Sequence, residues 1–371
     1  MKKKDNKEKI LLVGPYPPPY SGPSISFRLF YDFLIERMDS KIILHMVNTQ
    51  SGDKSIVSLF NLSIIIKILM IFVRIMANAL VVDKIIIFGS QRFITIVGSI
   101  VVLLFRPLGK NVSIRIFGGA YDLYYFSKSN SVRTIIRNVL RLCSRIVVQT
   151  ELTASSLYNI FGKRLRIIPN YRIPIANINY KSKMSTKSVS FIYTGIIRPS
   201  KGCKELLKAF LELKKRLLRH NLEIHVTLDL FGPIYKRLWN CEGLSVNQDD
   251  PNITFHGEVD HETIIMAYNK SDIFVLPSYW PTEGHPGSII EAMMCGLPVI
   301  ATRWRAIPEI VKHEVNGLLC IPKDVASLTD CMEKLVLDSK FRLKLGREAL
   351  KSSKMFDVNL VCNQLMEALN I

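Results

Sequence analysis

Two carboxylates stand eight residues apart in Glu283-Gly284-His285-Pro286-Gly287-Ser288-Ile289-Ile290-Glu291. Glu283 falls on a loop after an apolar run ending at Leu276, and Glu291 falls about one turn into the helix predicted over Ser288–Met294. The backbone N–H groups of Gly284, Gly287 and Ser288 face the helix entrance, where unpaired donors and the helix dipole favour sugar hydroxyls or a phosphate. A carboxylate accepts two hydroxyls well, so Glu291 suits a ribose diol. Glu283 suits a sugar ring, or the positive charge that develops at an anomeric carbon. His285 lies within reach of the same ligand.

A second turn, Gly195-Ile196-Ile197-Arg198-Pro199-Ser200-Lys201-Gly202, follows the predicted strand Val189–Tyr193. Gly195 clears the strand end. Arg198 can grip phosphate oxygens bidentately, and Lys201 adds a mobile point charge. A diphosphate would use both, because a phosphate buried without partners is costly. The third loop, Gly14-Pro15-Tyr16-Pro17-Pro18-Pro19-Tyr20-Ser21-Gly22-Pro23-Ser24, joins the predicted strand Ile10–Val13 to the helix predicted over Ser26–Met38. Gly14 and Gly22 permit close backbone approach, and Ser24 is placed to cap the helix. Its glycines lie eight apart, unlike the dinucleotide pattern G-x-G-x-x-G. His256, a lone histidine after a strand, reads as structural.

The elements that position these loops alternate along the chain. Short β-branched runs (Ile10–Val13, Ile42–Val47, Ile85–Phe88, Val112–Phe117, Ile146–Gln149, Leu165–Ile168) are separated by amphipathic stretches. The polar segment Asn170–Lys187 breaks the pattern, which restarts with Val189–Tyr193, Ile224–Leu230, Ile253–Phe255, Ile273–Leu276 and Val299–Ala301. This βαβ alternation predicts α/β architecture: two Rossmann-like parallel-sheet domains facing a central cleft, with ligands beyond the carboxyl ends of the strands. The expected boundaries are 1–172 for the first domain, 173–187 for the linker and 188–355 for the second, with a helix in 356–371 returning to the first.

A length of 371 residues fits two domains, and 48% apolar residues suffice for two cores. The formal charge of +19 is uneven. Residues 1–180 carry 25 Lys and Arg against 9 Asp and Glu, and residues 181–371 carry 25 against 22. The basic first half suits a polyanion. An anionic membrane surface fits better than nucleic acid, since no stacking aromatics interleave with the arginines. Arg133, Arg137, Arg141 and Arg145 recur every fourth residue as one helix face, with Ile135, Ile136, Val139 and Leu140 on the other; Lys67 and Arg74 mark a second stripe. Lys67 and Arg74 also argue against a membrane span at 62–82, since each charge costs about 2.5–3.5 kcal/mol near a bilayer centre. A buried or interfacial helix is expected there. Seven scattered cysteines without C-x-x-C spacing predict a reduced, cytoplasmic protein, and no apolar signal core is read at the N-terminus. No Cys, His or carboxylate grouping has metal-ligand spacing.

Together these residues resemble the retaining glycosyltransferases of family 4, which have the GT-B fold. The glutamate pair resembles that family's E-x7-E signature. Phe255-His256-Gly257, Ser271 to Ser278, Gly296-Leu297-Pro298-Val299-Ile300, Asn316-Gly317-Leu318-Leu319 and Gly195–Gly202 follow in the family's order. The resemblance covers residues 188–330 closely and 1–180 loosely. It implies a nucleotide diphosphate sugar, UDP- or GDP-linked, in the second domain. Arg198 and Lys201 would hold the diphosphate, Glu291 the ribose and Glu283 the donor sugar. Transfer would retain anomeric configuration without a metal or cofactor. The acceptor would be lipid-linked or a glycan, met by a peripheral protein at the inner face of the cell membrane. Many members carry a histidine after the fourth strand of the first domain; this chain reads Phe117-Gly118-Gly119-Ala120-Tyr121-Asp122 there. Gly118, Gly119 and Asp122 are therefore the candidates on the acceptor side. Other readings are a sugar-nucleotide epimerase or phosphorylase of the same fold, or a non-enzymatic basic scaffold or nucleic-acid-binding protein. No pyridoxal-binding lysine is apparent for a phosphorylase.

Overall fold

The computed structural model describes residues 7–37, 42–50, 62–175, 187–234 and 250–371. Two compact units are present, Met1–Tyr171 with Val358–Ile371, and Arg172–Asp357. Of the predicted linker, residues 176–186 lie outside the described residues.

The described residues of the first unit form a six-stranded parallel sheet: β1 (Glu8–Gly14), β2 (Ile42–Asn48), β3 (Lys84–Gly89), β4 (Asn111–Ile116), β5 (Arg145–Val148) and β6 (Leu165–Ile167), in the order β2-β1-β3-β4-β5-β6. Strands covered on both faces must be apolar throughout, not alternately. β1 shows why: Leu11 and Val13 enter one core with Ile85, Ile114 and Val102, while Ile10 and Leu12 enter another with Phe27, Phe30 and Phe88. The second core is closed by Val361, Cys362 and Leu365 of the helix Val358–Leu369.

The second unit repeats the plan with β7 (Ser188–Thr194), β8 (His225–Phe231), β9 (Ile253–Gly257), β10 (Ile273–Leu276), β11 (Val299–Thr302) and β12 (Gly317–Cys320). Their order is β12-β11-β10-β7-β8-β9, and the pairings are parallel. β7 and β10 are central neighbours, so the loops that leave their carboxyl ends emerge side by side.

Several expectations need correction. The first helix runs Gly22–Arg37, so Ser24 lies in its first turn and is not its cap. Ser21 caps it instead: the Ser24 N–H donates to Ser21 Oγ at 3.2 Å, and the Ser21 N–H donates back to Ser24 Oγ at 2.8 Å. This is a reciprocal capping box with serine in the place usually held by Glu. The arginine helix ends at Leu140, which puts Arg145 at the start of β5 and off that face. Ile135, expected inside, is 63% exposed. Of the two readings for the helix Leu62–Leu80, full burial does not hold: Ile75 and Ala79 face the core, while Leu69, Met70 and Val73 are exposed. The side chain of Lys67, in the second basic stripe, lies outside the described residues.

Candidate functional site

The site in the second unit begins where β7 ends. Gly195 has φ +147°, and a Cβ on Gly232 would lie 2.0 Å from its carbonyl, so the ends of β7 and β8 approach too closely for side chains. The chain then turns through Arg198 and Lys201 into the helix Cys203–Arg219. Gly202 makes that turn with φ +74°, and a Cβ there would lie 2.0 Å from the Pro277 carbonyl oxygen. The loops after β7 and β10 are thus pressed together. The Tyr279 N–H donates to the Ser200 carbonyl at 3.0 Å across the same seam.

That seam brings together three of the four predicted charged residues. Lys201 Nζ donates to Glu283 Oε2 at 2.7 Å, and the Ser278 hydroxyl donates to the same oxygen. Arg198 lies with its guanidinium carbon 4.1 Å from the Trp280 ring centroid, a cation–π arrangement that fixes its plane. Arg198 Nε and Ser200 Oγ are buried and have no hydrogen-bond partner among the described residues. Buried donors are normally satisfied, so two on one basic turn mark a place for an acceptor-rich ligand.

The fourth residue, Glu291, sits in the helix Gly287–Met294, the fifth residue of that helix, and is 8% exposed. Arg172 Nε donates to its Oε1 at 2.6 Å, and His261 Nε2 lies 3.8 Å from the same oxygen. Burial alone would push the Glu291 carboxyl up, but Arg172 and His261 outweigh it and hold it below the ordinary carboxylate range. The Glu291 end is tied to β7 through Tyr268, whose hydroxyl pairs with Thr194 and donates to the Ser288 carbonyl at 3.5 Å. Gly284 is buried at the helix entrance and Pro286 takes its N-cap position without a side-chain cap. Among the described residues, the first-turn N–H groups of Gly287 and Ser288 have no intrahelical acceptor.

His285 is turned elsewhere: its Nε2 lies 2.9 Å from Glu309 and its ring meets Phe356 edge-on at 6.1 Å. His256 pairs with Asp229 at 2.6 Å and stacks on Phe231, a packing role. In the first unit, Gly14 ends β1 and Gly118 follows β4, so both lie at the carboxyl end of the parallel sheet. A Cβ on Gly14 would meet the Phe27 ring at 2.4 Å, whereas Gly22 has open space around it. Gly118 has φ +89° and its N–H donates to Gln149 at 3.0 Å. Next to it is Gly119, and Asp122 is buried in the first turn of Tyr121–Phe126.

Sequence reasoning missed Arg172, His261 and Trp280. Trp280 carried a readable signal, an aromatic on the loop between a strand and Glu283. His261 opens a helix directly after Asp260, a capping residue, and such a start can carry a ligand contact. Arg172 had no local signal, since its partner is 119 residues away.

Residues 175–352 match the family model described as glycosyl transferases group 1. The group 1 match takes in Arg198, Lys201, Glu283 and Glu291 and leaves out Arg172. Among solved structures, Anabaena HepE in complex with UDP and glucose superposes with a TM-score of 0.70 at 18% identity, covering 98% of this chain and 99% of that one. This likeness shows the GT-B fold. The D-inositol 3-phosphate glycosyltransferase of Corynebacterium efficiens is 28% identical over 49% of this chain and 42% of its own. The N,N'-diacetylbacillosaminyl-diphospho-undecaprenol alpha-1,3-N-acetylgalactosaminyltransferase of Campylobacter jejuni is 30% identical over 28% of this chain and 27% of its own. The chain thus spans less than half the length of these two curated relatives. Group 1 match and fold together support a glycosyltransferase. Among the described residues, no helix is long and apolar enough to cross a membrane, and no group of three or more His, Cys, Asp or Glu is placed to hold a metal ion.

Proposed function

We propose that this chain is a retaining, metal-independent glycosyltransferase that moves a sugar from a UDP- or GDP-linked donor to a lipid-linked or glycan acceptor, working as a peripheral protein at the inner face of the cell membrane without a cofactor. The observation that carries the reading is the cluster on two touching loops: Lys201 on Glu283, with Arg198 and its unsatisfied Nε on the same turn. A diphosphate placed there meets two cations, and the sugar beyond it meets Glu283. As the acceptor oxygen bonds to the anomeric carbon, the bond from that carbon to the phosphate oxygen breaks. Arg198 and Lys201 stabilise the departing phosphate, and a phosphate oxygen takes the acceptor's proton. Glu291 holds the ribose, at the helix entrance. Gly14, Gly22, Gly118, Gly119 and Asp122 are assigned to the acceptor side. An acceptor on a polyprenyl carrier fits the name of the Campylobacter relative and the basic first half of the chain.

The test is a thermal-melting screen over nucleotide sugars, followed by turnover of the stabilising one. A ligand at 100 times its dissociation constant adds about 2.7 kcal/mol. Lys201→Ala and Glu283→Ala should each lower turnover about 100-fold or more, as loss of a preorganised charge at a transition state does. Wild-type turnover in both variants would remove the assigned roles.

A further inference from the structure

We infer that Arg172, seconded by His261, is a positioning residue that holds Glu291 to receive the ribose diol of the donor. This rests on the reading that the second unit binds a nucleoside diphosphate. The geometry is specific. Arg172 reaches Glu291 Oε1 at 2.6 Å and His261 Nε2 lies 3.8 Å from the same atom, while among the described residues no hydrogen bond ends on Oε2. One carboxylate oxygen is held and the other is left to accept hydroxyls. The guanidinium fits only because residue 287 is glycine: a Cβ there would fall 1.6 Å from Arg172 Nη2. The Arg172 backbone is anchored as well, its N–H donating to the Phe356 carbonyl at 3.0 Å. Both partners of Glu291 thus come from outside its own helix, one from the anchored segment at 172 and one from the start of the helix His261–Lys270. A carboxylate free to rotate would give up part of its binding to ordering, which a preset one avoids.

The test compares UDP with 2′-deoxy-UDP by titration calorimetry, with GDP and 2′-deoxy-GDP run alongside. The wild type should prefer the ribo form by roughly tenfold or more, the scale of hydrogen bonds to a charged group. Arg172→Met should bring that ratio close to one, Arg172→Lys should restore part of it, and His261→Ala should reduce it less. Gly287→Ala, which displaces the guanidinium without removing it, should act as Arg172→Met does and guards against a folding defect in the latter. Equal loss for ribo and deoxy forms would show a purely structural Arg172 and overturn the inference. Tighter ribo binding by Arg172→Met would overturn it too, making Arg172 a competitor for Glu291. A wild type that binds neither nucleotide pair would instead sink the proposed function, and this inference with it.

Discussion

His261 is 61% exposed at its side chain, yet it titrates above its ordinary 6.5 because Glu291 faces it. Arg172 opposes this charge and Asp260 favours it, but Glu291 dominates. A raised folded value means that the histidine stabilises the fold fully below its unfolded value and loses that contribution as pH rises through the folded one. The melting-temperature difference between wild type and His261→Ala should therefore be largest near pH 5–6 and shrink towards pH 8. A difference that grows with pH would contradict the Glu291 contact. Residue types at this scale were partly legible. Glu283, Glu291, Arg198 and Lys201 stood out because each follows a strand or opens a helix, where a side chain has little packing reason to be charged. Arg172 did not, because its purpose lies in a partner far along the chain, and sequence spacing carries no information about that meeting.

Strands were the most legible elements, since burial on both faces writes them as unbroken apolar runs such as Ile85–Phe88 and Ile273–Leu276. The edge strand Gly317–Cys320 and the helices Tyr121–Phe126 and Glu151–Phe161 were not read as such, being short or weakly periodic. The seam between the loops after β7 and β10 belongs to this scale as well, and it depends on Gly202. Gly202→Ala meets both a left-handed φ and the Pro277 carbonyl. It should destabilise by more than about 1 kcal/mol in denaturant melts and weaken nucleotide binding, because the Lys201 and Glu283 loops must part. Unchanged affinity would show that the two loops bind independently. In the first unit, Leu365 is fully buried against the sheet. Leu365→Ala should cost about 2–5 kcal/mol, read as a shift of the urea midpoint.

Across the whole molecule, charge and apolar exposure concentrate in the same stretch. Residues 62–150 hold 12 Lys and Arg but only Asp83 and Asp122 as acids. Leu69, Val73, Leu103, Leu104, Val132 and Ile135 in that stretch are each more than 40% exposed. Arg115 among the cations is fully buried; the rest, in one stretch with exposed aliphatics, would suit an anionic bilayer surface, each basic residue near it adding about 1 kcal/mol. Flotation with vesicles containing phosphatidylglycerol should carry the protein upward at low salt and less so at high salt; equal flotation with neutral vesicles would defeat the electrostatic part. The charge asymmetry was readable from composition, whereas the outward turn of those leucines was not, because an apolar helix looks the same whether its neighbours cover one side or two. The interrupted first unit bears on synthesis. Its final helix leaves the ribosome only after residues 172–357 have been translated. At about 5–20 residues per second that interval is roughly 10–40 s. For that time Phe27, Phe30 and Phe88 face solvent without the cover of Val361 and Leu365, and the contiguous second unit can fold first.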